Sequence, residues 1–388
     1  MARAAGRRIL IVGAGFSGAV VARELAEAGY ACLVIDQRPH VAGNCHTARD
    51  EDTGVMTHVY GPHIFNTSNL EVWEYIQRFC TMGPFIYRVK ASTPRGMFSF
   101  PINLHTINQF FGKRFNPCEA RAFLSAQGDS TINEPQNFEE QALKTIGRDL
   151  YDAFFHGYTK KQWGCEPAEL PAQIFKRLPI RFTYDDNYFA SRYQGIPVEG
   201  YTGIVRRMLD HPLIEVKLNT LWEPAAGDEF ATVFYTGPID AYYEYRHGRL
   251  GYRTVYWDKW VGDGDYQGNS VINYPDLADA FTRIHEHKHF APWEEHSRTI
   301  VFTEYSKETA AGDVPYYPKR LSADVNILAQ YTQLAAREEN VFFLGRLATY
   351  RYLDMHVVIA EALALARRYV AAANGAKENC PRFSAAPI

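Results

Sequence analysis

Six residues near the start of the chain, Gly13-Ala14-Gly15-Phe16-Ser17-Gly18, have the types and spacing to hold a pyrophosphate. In such a G-x-G-x-x-G the first glycine permits a tight turn, the second lets the backbone approach a phosphate, and the third lets a helix pack closely on the preceding strand. The helix then turns its positive end toward the anion. Asp36, about twenty residues further on, is placed to accept hydrogen bonds from a ribose diol. The pattern points to a dinucleotide. Two features favour FAD over NAD. Ala42-Gly43, with Asn44 behind it, stands where flavoproteins of this broad class usually carry a Gly-Gly. Gly345-Arg346 precedes a helix beginning near Asp354-Met355, whose positive end is placed to face a flavin carbonyl and to stabilise an anionic reduced flavin.

A second group of residues is aromatic and cationic. Tyr151, Phe154, Phe155 and Tyr158 fall at i, i+3, i+4 and i+7, one face of a helix, which suits either a bundle core or a stacking surface; Tyr151 is read as core. Arg177 lies in a segment framed by Pro167, Pro171 and Pro179, the composition of a loop with stiff ends. His285, His287 and His289 alternate and would share one face of a strand, but Glu286 and Lys288 between them suggest an ordinary exposed strand, and no metal is expected.

The elements that must carry these residues follow from the apolar pattern. Residues 8–12 read as a buried strand, Val21, Leu25 and Ala28 fall at helical spacing before Gly29, and residues 31–36 supply a second strand, together a βαβ unit with parallel strands. From about 70 to 193 the pattern is helical and interrupted by prolines. Short β-rich runs return at 214–218, 232–236, 254–257, 270–274 and 299–305. Near the end, an apolar run at 341–344 and a strongly apolar helix at 355–369 resume the strand–helix alternation. The expected fold is α/β: a discontinuous Rossmann-like FAD-binding domain (1–86, 197–240 and 325–372), an inserted helical bundle (87–190) with a mobile lid at 166–181, an antiparallel β-sheet domain (190–196 with 241–324), and a tail at 373–388.

With 388 residues, 46% hydrophobic and 22% charged, the chain has globular composition, and a formal net charge of −3 argues against a polyanion-binding surface, so no nucleic acid is expected as partner. The six cysteines form no CxxC pair and are too sparse for a disulfide framework; they read as free thiols, with a cytoplasmic location expected. Arg3, Arg7 and Arg8 before an apolar run resemble a secretion signal only superficially, because Gly13, Gly15 and Gly18 interrupt that run at once, and no stretch is long enough to insert into a membrane.

Several separate blocks, in order, resemble those of the UDP-galactopyranose mutases: Tyr60-Gly61-Pro62-His63-Ile64-Phe65, Phe100-Pro101-Ile102-Asn103, Phe154-Phe155-His156-Gly157-Tyr158-Thr159-Lys160-Lys161-Gln162-Trp163, Arg181-Phe182-Thr183-Tyr184-Asp185-Asp186-Asn187-Tyr188-Phe189, Tyr235-Thr236-Gly237-Pro238, Thr282-Arg283-Ile284 and Arg346-Leu347-Ala348-Thr349-Tyr350-Arg351-Tyr352-Leu353-Asp354-Met355. The resemblance implies an enzyme that interconverts UDP-galactopyranose and UDP-galactofuranose without net redox change, through a covalent adduct of the sugar on N5 of reduced FAD, to feed galactofuranose into cell-surface polysaccharide. It implies Arg177, on the lid, and Arg283 as catalytic cations at the diphosphate, with His63 against the flavin. It implies substrate contacts from Phe154, Phe155, Tyr158, Thr159, Trp163, Tyr188, Asn273, Tyr317 and Tyr352. For the cofactor it implies Gly13, Gly15, Phe16, Ser17, Gly18, Asp36, Gln37, Asn44, His63, Ile64, Gly237, Arg346, Asp354 and Met355. An electron donor such as NAD(P)H or a reductase, and a homodimer, are expected on the same ground. Tyr87 departs from the pattern, since relatives commonly carry Asn before the following Arg-Val-Lys-Ala. The rival readings are a mutase for another nucleotide sugar, such as UDP-N-acetylgalactosamine, in whose group the resemblance implies an Arg where this chain has His63, and an FAD-dependent oxidoreductase, which would not need the paired arginines.

Overall fold

Runs of three or four residues, too short for helices, build the first sheet of the computed structural model, which describes residues 8–176 and 179–375. Ile214–Lys217, Cys32–Ile35, Ile9–Val12, Thr232–Tyr235 and Val341–Phe343 lie side by side in that order, all parallel. Alternate side chains of a strand face opposite ways. Ile9 and Ile11 therefore join the core under Phe16–Glu27, Gly200–Leu209 and Met355–Ala373, while Leu10 and Val12 join Tyr235, Tyr331 and Phe343 under Ser322–Ala335. Burial on both faces goes with the apolar character of the four inner and far-edge runs, whereas the edge strand Ile214–Lys217 alternates half-buried Ile214 and Val216 with exposed Glu215 and Lys217.

A second sheet of seven strands runs in the order Tyr317–Pro318, Tyr252–Asp263, Arg298–Glu308, Arg283–Glu286, Val271–Asn273, Val89–Thr93 and Gly96–Phe100. All neighbours are antiparallel except Val271–Asn273 with Val89–Thr93. The helices pack on the Val89–Phe100 hairpin in a core that includes Phe98, Phe100, Ile107, Phe110, Leu124, Ile146 and Phe154. Three of them start on asparagine: Asn103, Asn116 and Asn137 each accept a hydrogen bond from a backbone N–H in the first turn. Such caps contribute about 1 kcal/mol each.

Three sequence expectations change. The stretch 87–190 opens with two strands of the seven-stranded sheet rather than with helix, because Val89, Ala91, Phe98 and Phe100 alternate inward. Residues 190–196 do not join that sheet: Tyr193–Pro197 pairs with Phe65–Thr67 and Met82–Gly83 in a small sheet of its own. The histidine run is not an exposed strand either. The strand ends at Glu286, a 3-10 turn spans His287–Phe290, and His285, Glu286 and His287 are fully buried. Among the described residues no helix is long and apolar enough to cross a membrane, and the five described cysteines are free thiols.

Candidate active site

A cleft of about 1990 Å³ runs along the C-terminal edge of the parallel sheet and on to the seven-stranded one. Its floor is the glycine turn. Gly13 adopts φ +108°, open to glycine, and a Cβ there would lie 2.0 Å from Thr236 Oγ1. Gly18 faces inward: a Cβ would meet the Gly13 carbonyl oxygen at 2.0 Å, so it serves helix-to-strand packing and does not line the cleft. Asp36 sits at the mouth, its carboxylate accepting from Ala14 N at 2.8 Å and from Arg38 N at 2.9 Å. Gly15, Phe16, Ser17, Gln37, Asn44, His63, Ile64, Gly237, Arg346, Asp354 and Met355 all line the same cleft.

A smaller pocket of about 100 Å³ opens off the far end, lined by Phe154, Phe155, Tyr158, Thr159, Trp163, Tyr188, Asn273 and Arg283 together with Tyr87, Val89, Phe100, Phe138 and Ile174. Tyr87, Tyr158, Trp163, Tyr188 and Arg283 face both spaces and join them. Phe154 and Phe155 lie on a π-helical turn, Asp152–His156, between Phe138–Tyr151 and Gly157–Trp163. The expected α-helical stripe is therefore widened by a residue, while Tyr151 is fully buried core as read. On the cleft wall, Tyr317 and Tyr352 stack at 5.5 Å, and the Arg346 guanidinium lies 5.6 Å and 5.3 Å from their rings.

The electrostatics of this end are set by one buried carboxylate. Glu304, fully buried, accepts from Arg283 Nε at 2.8 Å and pairs with His285 Nε2 at 2.9 Å. Burial alone would raise its pKa, but the Arg283 charge and the His285 hydrogen bond hold it down to about 2. Burial likewise opposes the Arg283 charge and Glu304 outweighs it, so the guanidinium stays charged with the rest of its fork toward the pocket. His63 is pushed down to about 4 by burial and by the Arg346 and Arg283 charges, against the Gly61 carbonyl, and is neutral at neutral pH. Its Nδ1 lies 2.8 Å from the Gly61 oxygen, which assigns the proton to Nδ1 and leaves Nε2 an acceptor. The phenols of Tyr158 and Tyr317 are pushed up by burial and remain donors.

A family model described as UDP-galactopyranose mutase matches residues 153–352, and a Rossmann-like NAD(P)-binding model matches residues 11–79. A probable UDP-galactopyranose mutase of Klebsiella pneumoniae is 52% identical over 97% of this chain and 98% of its own length. The chain belongs to the UDP-galactopyranose mutase family. A dTDP-fucopyranose mutase of Escherichia coli is 48% identical over 94% of this chain and 98% of its own, and a Mycoplasma pneumoniae UDP-galactopyranose mutase is 30% identical over 92% and 95%. Among solved structures, a reduced UDP-galactopyranose mutase shares the fold with a TM-score of 0.74 at 15% identity, covering 97% of this chain and 95% of that one. A putative protoporphyrinogen oxidase shares it more distantly, at 0.63 and 11% identity over 95% and 99%.

Within this member of the mutase family, the structure gathers the predicted residues into one continuous space, with two exceptions. Gly18 is structural, and Arg177 lies outside the described residues. Four residues not singled out beforehand matter to the geometry: Glu304, which fixes Arg283; Arg38, whose guanidinium covers Tyr60 at 4.6 Å; Gln162, on the cleft; and Lys161 beside it. A signal for Glu304 existed, since a lone acid in the apolar run 299–305 demands a buried partner.

Proposed function

We propose that this protein interconverts UDP-galactopyranose and UDP-galactofuranose with FAD, in its reduced form, as cofactor. The observation that supports it best is Arg283, held charged by buried Glu304 at the junction of an aromatic pocket and a dinucleotide cleft. The cleft fits the cofactor. Gly13 and Gly15 leave a cradle open at the helix N-terminus, and Arg38 Nη1 and Arg346 Nε are buried on it with no partner among the described residues. FAD would be held by Gly13, Gly15, Ser17, Asp36 and Asn44 at one end and by Gly237, Arg346 and Met355 at the other. When bound and reduced, it supplies the nucleophile for ring opening and closure without net redox change.

The chain's own residues do the rest. Tyr158 and Phe154 offer the uracil a stacking wall, and Trp163 closes the pocket beside the sugar. Arg283, with Tyr317 and Tyr352 as hydroxyl donors, meets the diphosphate, where negative charge grows as UDP departs. Neutral His63 offers Nε2 as an acceptor to a sugar hydroxyl. Arg177 is assigned to the diphosphate from a lid on the ground of family resemblance. Electrons from NAD(P)H or a reductase, a cytoplasmic site of action, a homodimeric state and a role in polysaccharide synthesis belong to the same reading.

A second reading, a dTDP-6-deoxyhexose as substrate, is favoured by Tyr87. Its buried ring, 5.0 Å from Tyr188 and 5.6 Å from Phe189, makes the joint between cleft and pocket more apolar than an amide would. Anaerobic incubation with UDP-galactofuranose or dTDP-fucofuranose, with and without dithionite, decides. Conversion of the UDP-sugar only after reduction is the expected result, conversion of the dTDP-sugar alone selects the second reading, and conversion of neither removes both.

A further inference from the structure

Lys161 does not line the pocket, yet it touches both of the elements that do. It leaves the helix Gly157–Trp163, and its ammonium lies 2.6 Å from the carbonyl oxygens of Tyr274 and Asp276, 2.8 Å from that of Phe281 and 3.0 Å from that of Asp279. An ammonium has three hydrogens, so four oxygens within 3.0 Å share them and enclose the charge. All four belong to the loop joining Val271–Asn273 to Arg283–Glu286. The loop backbone is thereby held at four points by one side chain. Burial pushes the lysine down to about 8, against the charges of Asp276 and Asp279, which leaves it protonated at neutral pH.

Each of the two pieces so joined carries residues that line the pocket. The helix carries Tyr158, Thr159 and Trp163; the loop begins after Asn273 and ends at Arg283. They are packed to the limit, for a Cβ on Gly157 would lie 2.2 Å from the Pro275 carbonyl oxygen and 3.1 Å from Leu277 Cγ. The helix is also fastened at its end: Arg253, 4% exposed, donates to Gln162 O at 3.0 Å and to Lys161 O at 3.3 Å, and Ser306 Oγ donates to Gln162 O at 2.8 Å. A single spacing between base-stacking and diphosphate-binding groups results.

We propose that Lys161 is a positioning residue that sets the distance between the Tyr158–Trp163 wall and the Asn273–Arg283 wall through its carbonyl cage. The proposal rests on reading the pocket as a nucleotide site. Its test compares wild type, Lys161→Met and Gly157→Ala for flavin content, melting temperature, UDP titration by tryptophan fluorescence, and KM against kcat. Lys161→Met keeps the stem and removes the charge; Gly157→Ala pushes the loop away and keeps the charge. Both are expected to retain flavin while the UDP dissociation constant rises about tenfold, the scale of a sub-ångström misplacement, with kcat falling as Arg283 moves. A lower melting temperature with UDP affinity and kcat within twofold of wild type would make the cage merely structural and overturn the proposal. If Lys161→Met does not accumulate folded, Gly157→Ala decides alone on the same criterion. Failure of the wild type to bind UDP would instead remove the nucleotide reading.

Discussion

The two halves of the cleft are built by opposite means. The dinucleotide half begins with absence: glycines with no Cβ, backbone N–H groups at a helix start, and one half-buried carboxylate within the first 44 residues, with Gly237, Arg346 and Met355 added from later in the chain. The sugar-nucleotide half is made of bulk and charge: aromatic rings from several separate segments around an arginine whose counter-ion is sunk in a sheet. The first should fail when atoms are added, the second when charge or rings are removed.

The largest effect is expected from Arg283→Ala, which should keep flavin but lower kcat by about 10²- to 10³-fold, the usual loss when a cation at a developing charge is removed. Retained wild-type turnover would erase the contrast at its centre. Gly13→Val should do the reverse, abolishing flavin retention in purified protein, because its Cβ has no room beside Thr236; bound flavin after gel filtration would contradict it. Trp163→Ala should raise the UDP dissociation constant about five- to tenfold, the scale of one lost aromatic contact, without loss of flavin.

A pH experiment sharpens the comparison further. His58 and His63 are held by burial at about 3 and about 4, and buried His285 and His287 are shifted the same way. A histidine whose pKa is lower folded than unfolded contributes stability above about pH 6.5, and that stability is lost as pH falls toward its folded value. Glu304, held at about 2, acts in the same direction below about pH 4.5. Melting temperature should therefore decline as pH falls from 7, and Glu304→Gln should flatten the part of that slope below about pH 4.5. The smallest effect is expected from Asp36→Ala, a few-fold faster flavin loss on dialysis, since its carboxylate also serves two backbone N–H groups.

Legibility in the sequence divides along the same line. The glycine turn, its two strands and Asp36 are contiguous, so local spacing sufficed to read the dinucleotide half. The other half comes together only through tertiary pairing. Arg283 meets Glu304 because they are register partners on antiparallel strands, a fact no local pattern contains. The Val89–Phe100 hairpin was hidden inside a Pro-rich helical stretch, and the π-turn at Asp152–His156 has no compositional mark. For Phe154, Tyr158, Trp163 and Tyr317, resemblance carried what spacing could not, since the chain has 25 tyrosines and 24 phenylalanines to choose among.

The order of the parallel sheet also bears on how the molecule is made. Ile9–Val12 has Cys32–Ile35 on one side, but on the other it waits for Thr232–Tyr235, which in turn pairs with Val341–Phe343. A nascent chain emerging N-terminus first thus exposes the glycine turn long before its neighbours are synthesised. Contacts so distant in sequence close late and slowly. Cofactor capture should be among the last events of biogenesis, and a chain stalled before residue 341 should leave the ribosome with its fingerprint intact and no flavin in it.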